Sequence, residues 1–176
     1  MYQTLIEKIE ELQRNRLSVI KLEKNKLSYK NGPGTKIDGL YWIYTDYTDD
    51  ELKDSCPSPK RGSINFSDLV KINSKISVLC KVKINKFRLV YNGIGGVGQK
   101  NSGGLRERIL EEFRGGEGTG SLAICGSSLS DLSHWRVSYV LWSEIHFPKN
   151  YSYKPFCTAI EGLWRLHYGW PLLCKK

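Results

Sequence analysis

Two stretches of the chain carry large apolar side chains in the two-residue period of a β-strand. In residues 38–45 (DGLYWIYT), Tyr41 and Ile43 fall on one side and Trp42 on the other. Successive side chains of a strand point to opposite faces of a sheet. Residues 135–142 (WRVSYVLW) alternate in the same way. The pattern therefore predicts a strand in each stretch.

Three other stretches have the spacing of amphipathic helices. Residues 4–16 place apolar side chains three or four positions apart, with charged residues between them. Residues 104–113 and 158–168 do the same, and Gly169 and Pro171 close the last one. For the first helix, packing on the domain is favoured over binding a partner. Residues 17–29 fit neither a helix nor a strand clearly.

A basic segment precedes the middle of the chain. Residues 71–90 contain six Lys or Arg and no acid. Lys81 and Lys83 occupy odd positions, whereas Lys86 and Arg88 occupy even positions. The basic side chains of one continuous strand would therefore change face, so a tight turn is expected at Asn85. We predict a hairpin that pairs residues 76–84 with residues 87–92. Its basic solvated face suits either contact with phosphates or a lysine-protected sheet edge.

Composition narrows the class of partner. The chain has 176 residues and a net charge of +9, which favours a polyanion such as nucleic acid. The five cysteines lack metal-ligand spacing, so we expect reduced thiols, no zinc site and a cytoplasmic protein. The charged N-terminus is unlike a signal peptide. No apolar run approaches about 18 residues, so no membrane span is expected.

One motif suggests a dinucleotide cofactor. Gly93-x-Gly95-x-x-Gly98 has the spacing of a Rossmann fingerprint. In that fold the third glycine opens a helix, yet residues 99–104 intervene here. The acid about 20 residues further on is Glu117, and no strand precedes it. The glycines are therefore expected to let a ligand approach the backbone, or to bind phosphate, instead of holding a nicotinamide or flavin cofactor.

Three separated pieces together resemble the GIY-YIG endonucleases. They are Gly39-Leu40-Tyr41 on a strand, Tyr91 followed by Gly93-Ile94-Gly95 on another, and Leu105-x-x-Arg108 on the next helix. Glu161, in AIEGLWRLHYGWP, looks like the metal-binding glutamate that a later helix supplies in that family. The likeness covers roughly residues 37–171.

The resemblance implies roles for individual residues. Tyr41 would be the general base, Tyr91 would assist it, Arg108 would hold a phosphate oxygen, and Glu161 would bind Mg²⁺ or Mn²⁺. A neighbouring Arg108, a metal ion and lysines would favour the phenolate of Tyr41. The candidates for binding DNA phosphates are all basic: Lys81, Lys83, Lys86, Arg88 and Lys100.

The chain also departs from the family pattern. Fifty positions separate Tyr41 from Tyr91, which implies an insertion at about residues 46–79 that takes part in DNA recognition. The YIG motif is broken as YNGIG. Glu112 stands where the family often has a histidine, and Leu173 or Cys174 stands near the place of a family asparagine.

The expected fold class is α+β, with a small, mainly antiparallel three-stranded sheet flanked by helices. A helical arm over residues 1–34 precedes a nuclease domain over residues 35–176, and a basic hairpin and loop region is inserted. The expected function is metal-dependent cleavage of double-stranded DNA by a sequence-specific type II restriction enzyme that acts as a homodimer. The alternatives are a non-catalytic nucleic-acid-binding protein and a repair or homing nuclease of the same family.

Overall fold

The protein has an α+β fold, shown by a computed structural model that describes residues 2–23, 26–29, 31–96, 104–116, 118–145 and 153–175. Within these ranges the helices are α1 (Tyr2–Asn15), α2 (Asp49–Lys53), α3 (Phe66–Asn73), α4 (Gly104–Arg114) and α5 (Tyr153–Tyr168). The strands are β1 (Ile20–Glu23), β2 (Lys26–Tyr29), β3 (Gly39–Thr45), β4 (Lys83–Ile84), β5 (Phe87–Gly95) and β6 (Trp135–Leu141).

The central sheet is antiparallel and has the strand order β4-β5-β3-β6. The predicted strands at 38–45 and 135–142 are confirmed as β3 and β6. The sheet has four strands instead of the three expected, because the short β4 pairs with β5 through Lys83 and Ile84. Every residue of β3 is buried, as the apolar character of both its faces requires.

Each face of the sheet carries its own hydrophobic cluster. Tyr41 and Ile43 pack with α2, α3 and α4 on one side. Trp42 lies on the other side, where the rings of Trp42 and Trp164 of α5 have centroids 5.7 Å apart. α1 packs on that same side through Ile6 and Ile9. The sheet is therefore the middle of three layers, and the predicted alternation along β3 assigns its side chains to the correct faces.

The N-terminal arm is helical only over α1. A two-stranded hairpin of β1 and β2 follows it, so the expectation of a helical arm up to residue 34 is wrong for this part. Ile20 and Tyr29 pair with each other at the open end of the hairpin, and both are buried. Their burial favours the strand conformation. Ser18 exchanges backbone hydrogen bonds with Val137 and so attaches the segment to the free edge of β6.

The predicted hairpin at residues 76–92 is much shorter than expected. Asn85 adopts a left-handed conformation with φ 55°, which confirms the tight turn, but β4 contains only two residues. Further along β5, the C-terminal tail takes the place of the missing strand, because Leu173 N–H donates to the Val90 carbonyl at 2.8 Å. The tail is apolar and buried at Leu172, Leu173 and Cys174, which explains why it displaces a lysine-rich segment from this edge.

Residues 46–79 belong to the same core as the sheet. They contain α2 and α3, although the sequence predicted an inserted hairpin and loop region here. Thr48 and Glu51 form a capping box at the start of α2, a pattern that explains this short helix. Phe66 and Val70 are buried in the cluster on the α4 side of the sheet.

The described helices include none that is both long and apolar enough to cross a lipid bilayer.

Candidate active site

A cavity of about 230 Å³ opens beside the end of β5. Four residues predicted to form the site, Tyr41, Tyr91, Arg108 and Glu161, all line it. They come from β3, β5, α4 and α5. β4 pairs only with the first residues of β5, so it does not cover the edge of β5 near Gly93 and Ile94. α4 and α5, which lie on opposite faces of the sheet, both line the cavity at this edge.

The glycines of the GIGGVG motif make room for protein atoms. Gly93 is the cross-strand partner of Tyr41, and a Cβ at Gly93 would lie 2.5 Å from the Tyr41 hydroxyl. A Cβ at Gly95 would lie 2.5 Å from the Cα of Leu105, so this glycine lets α4 pack closely on β5. Close approach at these two glycines thus serves Tyr41 and α4 instead of a ligand. Gly98 lies outside the described residues.

Tyr41 and Arg108 both contact the buried carboxylate of Glu112, Tyr41 through a hydrogen bond and the partly exposed Arg108 through an ion pair. The Tyr41 hydroxyl donates to Glu112 Oε1 at 2.7 Å, and Arg108 Nη2 lies 2.8 Å from the same oxygen. The backbone N–H of Leu122 donates to Glu112 Oε2 at 2.8 Å. Glu111 holds the other terminal nitrogen of Arg108 at 2.9 Å. Both carboxylate oxygens of Glu112 are satisfied, although its side chain is fully buried.

The electrostatics of this group differ from the sequence-based expectation. The pKa of Tyr41 is raised well above its usual value, first by burial and next by the charge of Glu112, and Arg108 only partly offsets this. Arg108 alone therefore does not stabilise the phenolate of Tyr41. Burial also raises the pKa of Glu112, and Arg108 opposes that rise. Glu112 is consequently a carboxylate that accepts a proton more readily than one in water.

On the α5 side of the cavity, Glu161 is held by its neighbour one turn along the helix. Arg165 Nη2 donates to Glu161 Oε1 at 2.8 Å, and the guanidinium lies 4.6 Å from the centroid of the Trp170 ring. Burial raises the pKa of Glu161, and Arg165 partly counteracts the rise. The same guanidinium donates through Nε to Asn92 Oδ1 at 3.0 Å, so one arginine orients two residues of the cavity wall.

The predicted phosphate-binding residues lie elsewhere in the structure. Lys81 and Lys83 are exposed near β4. Lys86 pairs with Asp46, and Arg88 pairs with Asp49. Arg88 is five residues along β5 from Gly93, which corresponds to about 16 Å at the rise of a strand. These four residues do not converge with the cavity, and Lys100 lies outside the described residues.

Sequence reasoning did not assign three residues of this site. Glu112 was noted only as a departure from the family pattern, although its helical spacing from Arg108 is a signal for an ion pair. Arg165, the second such residue, lies four positions after Glu161, and this spacing is the same signal. Asn92 gave no signal beyond its position in the broken YNGIG motif, because its partners come from α5 and the C-terminal tail.

Comparisons of this chain with family models, curated proteins and solved structures found no match.

Proposed function

We propose that this chain is a divalent-metal-dependent DNA endonuclease that cuts double-stranded DNA sequence-specifically, in the manner of a type II restriction enzyme. One observation supports the proposal most strongly. Tyr41, Tyr91, Arg108 and Glu161, which are far apart in sequence, line a single cavity. The resemblance to GIY-YIG endonucleases assigns roles to these same four residues.

The cavity has the charges that a phosphodiester requires. Arg108, Arg165 and Lys175 line it and attract a phosphate. Arg108 donates one N–H to Glu111 and forms an ion pair with Glu112, and a guanidinium has five N–H donors. Arg108 therefore keeps donors for a phosphate oxygen while its position is fixed by two carboxylates.

Glu112 gives the proton transfer a direction. A water bound beside Tyr41 loses a proton to the phenol oxygen as its own oxygen attacks phosphorus, and the phenol passes its proton to Glu112 Oε1. The phosphorus–oxygen bond to the leaving 3′ oxygen breaks in the same displacement, and that oxygen takes a proton from solvent. Because the proton ends on a carboxylate, the reaction needs no free phenolate, which burial of Tyr41 disfavours. Tyr41 thus acts as a relay, and Glu112 is the proton acceptor.

The donor set fits a magnesium or manganese ion. Mg²⁺ keeps several water ligands and is held by one or two carboxylates together with substrate phosphates. Glu161 supplies one such carboxylate to the cavity wall, and Arg165 occupies only its Oε1. The described residues contain no cluster of three or more Asp, Glu, His or Cys that could hold a metal. A magnesium site with one protein carboxylate does not require such a cluster. A bound ion would polarise the phosphoryl group and stabilise the leaving oxygen.

A non-catalytic nucleic-acid-binding protein is the second candidate. The exposed Lys81 and Lys83 favour it, because basic side chains near a sheet edge bind phosphates without any chemistry. The catalytic proposal has the advantage of giving Glu161 a role, because Arg165 contacts only one of its carboxylate oxygens and a metal ion can bind the other.

The test is cleavage of phage or genomic DNA, which offers many possible target sites, with Mg²⁺, with Mn²⁺ and with a chelator. We expect discrete fragments that require metal and end at one sequence. Tyr41→Phe and Glu161→Ala should abolish cutting while a gel shift of uncut duplex persists. A gel shift by the wild type without cleavage on any of these DNAs would support the binding protein, and cleavage by Tyr41→Phe at the wild-type rate would refute the assigned proton path.

A further inference from the structure

Asn92 is a buried polar residue in the wall of the cavity. It lies on β5 between Tyr91 and Gly93, and its side chain is 1% exposed. Its Nδ2 has no hydrogen-bond partner among the described residues. Buried amide groups are normally paired, because an unpaired donor loses its hydration and gains nothing in return. An unpaired donor in a cavity wall therefore indicates a group that a ligand satisfies.

Arg165 fixes the orientation of the Asn92 amide. The Asn92 Oδ1 accepts from Arg165 Nε at 3.0 Å, and a guanidinium nitrogen can only donate. The Cys174 thiol lies 3.3 Å from the same oxygen. Rotating the amide by 180° would set Nδ2 against the Arg165 donor. The arrangement therefore leaves Nδ2, and not Oδ1, for a ligand.

The charged residues in the cavity wall indicate the sign of the charge on that ligand. Three cations, Arg108, Arg165 and Lys175, line the cavity against one carboxylate, and an N–H donor among them suits an anionic oxygen acceptor. Within the proposed function, on which this inference rests, that acceptor is a phosphate oxygen of a DNA strand. We propose that Asn92 is a substrate-binding residue whose Nδ2 donates a hydrogen bond to a phosphate oxygen held in the cavity.

The first test uses the wild-type protein and needs no knowledge of the DNA target. The side-chain amide signal of Asn92 is followed by NMR while ¹⁵N-labelled protein is titrated with dimethyl phosphate, and in a separate sample with duplex DNA in chelator. The signal is assigned by its absence from Asn92→Asp. A change in the Asn92 amide shift in both titrations is expected. If the Asn92 signal shifts in neither titration, the proposal is overturned. If it shifts with dimethyl phosphate alone, the site binds a free phosphate compound and the DNA contact is overturned.

The second test compares variants for binding uncut duplex in chelator by fluorescence anisotropy. Asn92→Asp preserves the shape and the acceptor for Arg165 but removes the donor, and Asn92→Ala removes the donor without adding charge. Both should bind about ten- to a hundredfold more weakly, since a hydrogen bond to a charged group is lost. Asn15→Asp, at the exposed end of α1, is the matched charge control and should bind like the wild type.

The variant results separate three explanations. Weaker binding by both Asn92 variants, with Asn15→Asp unchanged, supports the proposal. Weaker binding by Asn92→Asp alone shows charge repulsion and overturns it, and wild-type binding by both overturns it as well. If the wild type binds DNA and cuts while the Asn92 variants match it, only this inference fails. If the wild type neither binds nor cuts DNA, the proposed function fails, and the dimethyl phosphate titration alone still decides whether Asn92 is an anion-binding donor.

Discussion

The hydroxyl group of Tyr41 donates a hydrogen bond to the buried carboxylate of Glu112 across 2.7 Å, although 71 positions separate the two residues. β3 delivers the phenol and α4 delivers the carboxylate, and Gly93 leaves the space in which they meet. This relationship gives the proposed reaction its direction, because the proton of the phenol already points at its acceptor.

Replacing the proton acceptor should stop the reaction. Glu112→Gln can still accept a hydrogen bond from Tyr41 but cannot take its proton, so we expect the cleavage rate to fall by about 10²-fold or more. Glu111→Gln is the matched control, because Glu111 also bonds Arg108 but does not contact Tyr41. Its rate should stay close to that of the wild type. Equal losses in the two variants would show that both glutamates act only by holding Arg108.

The pH dependence of cleavage should report the same carboxylate. Burial raises the pKa of Glu112, and the reaction needs its unprotonated form, so the rate should rise with pH through a value above the usual range for glutamate. The measurement is the rate against pH at saturating metal for the wild type and for Glu112→Gln. Glu161 has a raised pKa as well, but metal binding keeps it ionised, and saturation with metal removes its contribution. An unchanged acid limb in Glu112→Gln would contradict the assignment.

Tyr41→Phe should separate chemistry from stability. The change removes the relay and leaves a buried carboxylate with one fewer donor, so cleavage should be lost and the free energy of unfolding should fall by about 1–3 kcal/mol. Tyr44→Phe is the control, because the Tyr44 hydroxyl is also buried on β3 and is bonded by Gln13 and Ser138 on the opposite face of the sheet. It should lose comparable stability, measured by urea unfolding, and keep its activity. Loss of activity in both variants would trace the defect to general destabilisation.

The local pattern of the sequence predicts much of this arrangement. The alternation along β3 assigns Tyr41 to the α4 side of the sheet, and the helical spacing from Leu105 to Phe113 predicts α4 with Arg108 on it. Motif order then selects four residues that line one cavity. Local rules suffice here because each residue lies on a regular element whose period determines its face.

Non-local pairing accounts for what the sequence did not reveal. The strand predicted at residues 76–84 is confirmed only at Lys83–Ile84, because the C-terminal tail competes for the same edge of β5 and no local signal reports that competition. Asn92 becomes part of a network only through Arg165 and Cys174, which lie 73 and 82 positions away. The pKa of Tyr41 likewise depends on burial and on Glu112, neither of which a motif reveals.

Arg108 should contribute to stability as well as to catalysis. Arg108→Met leaves the fully buried carboxylate of Glu112 without its cation, a change that typically costs about 3–5 kcal/mol. Arg114→Met is the control, because Arg114 pairs with Glu107 in an exposed position where a salt bridge contributes less than about 1 kcal/mol. Urea unfolding measures both. Equal small losses would show that Glu112 is not charged in the folded protein.

The loss in Arg108→Met should also depend on pH. Removing Arg108 raises the pKa of Glu112 further, and a carboxyl whose pKa is higher in the folded than in the unfolded state contributes stability at low pH that is lost as pH rises through the folded pKa. The difference in unfolding free energy between wild type and variant should therefore be larger at pH 8 than at pH 5. A difference that is independent of pH over this range would exclude a charged Glu112 as its cause.

Two glycine substitutions should have opposite effects. In Gly93→Ala, the new Cβ would lie 2.5 Å from the Tyr41 hydroxyl, and neither β3 nor β5 can move without disturbing the sheet. Overpacking of this kind costs about 1–3 kcal/mol, and because it displaces the phenol from Glu112 it should also abolish cleavage. In Gly162→Ala, on α5 beside Glu161, the new Cβ would have open space around it beyond its own chain neighbours and helix backbone. Alanine is the better helix former by about 0.5–1 kcal/mol, so this variant should be more stable and still cut DNA. Thermal unfolding and cleavage of the mapped site measure both effects, and an active Gly93→Ala enzyme would show that the close approach of Tyr41 to β5 is not needed for the reaction.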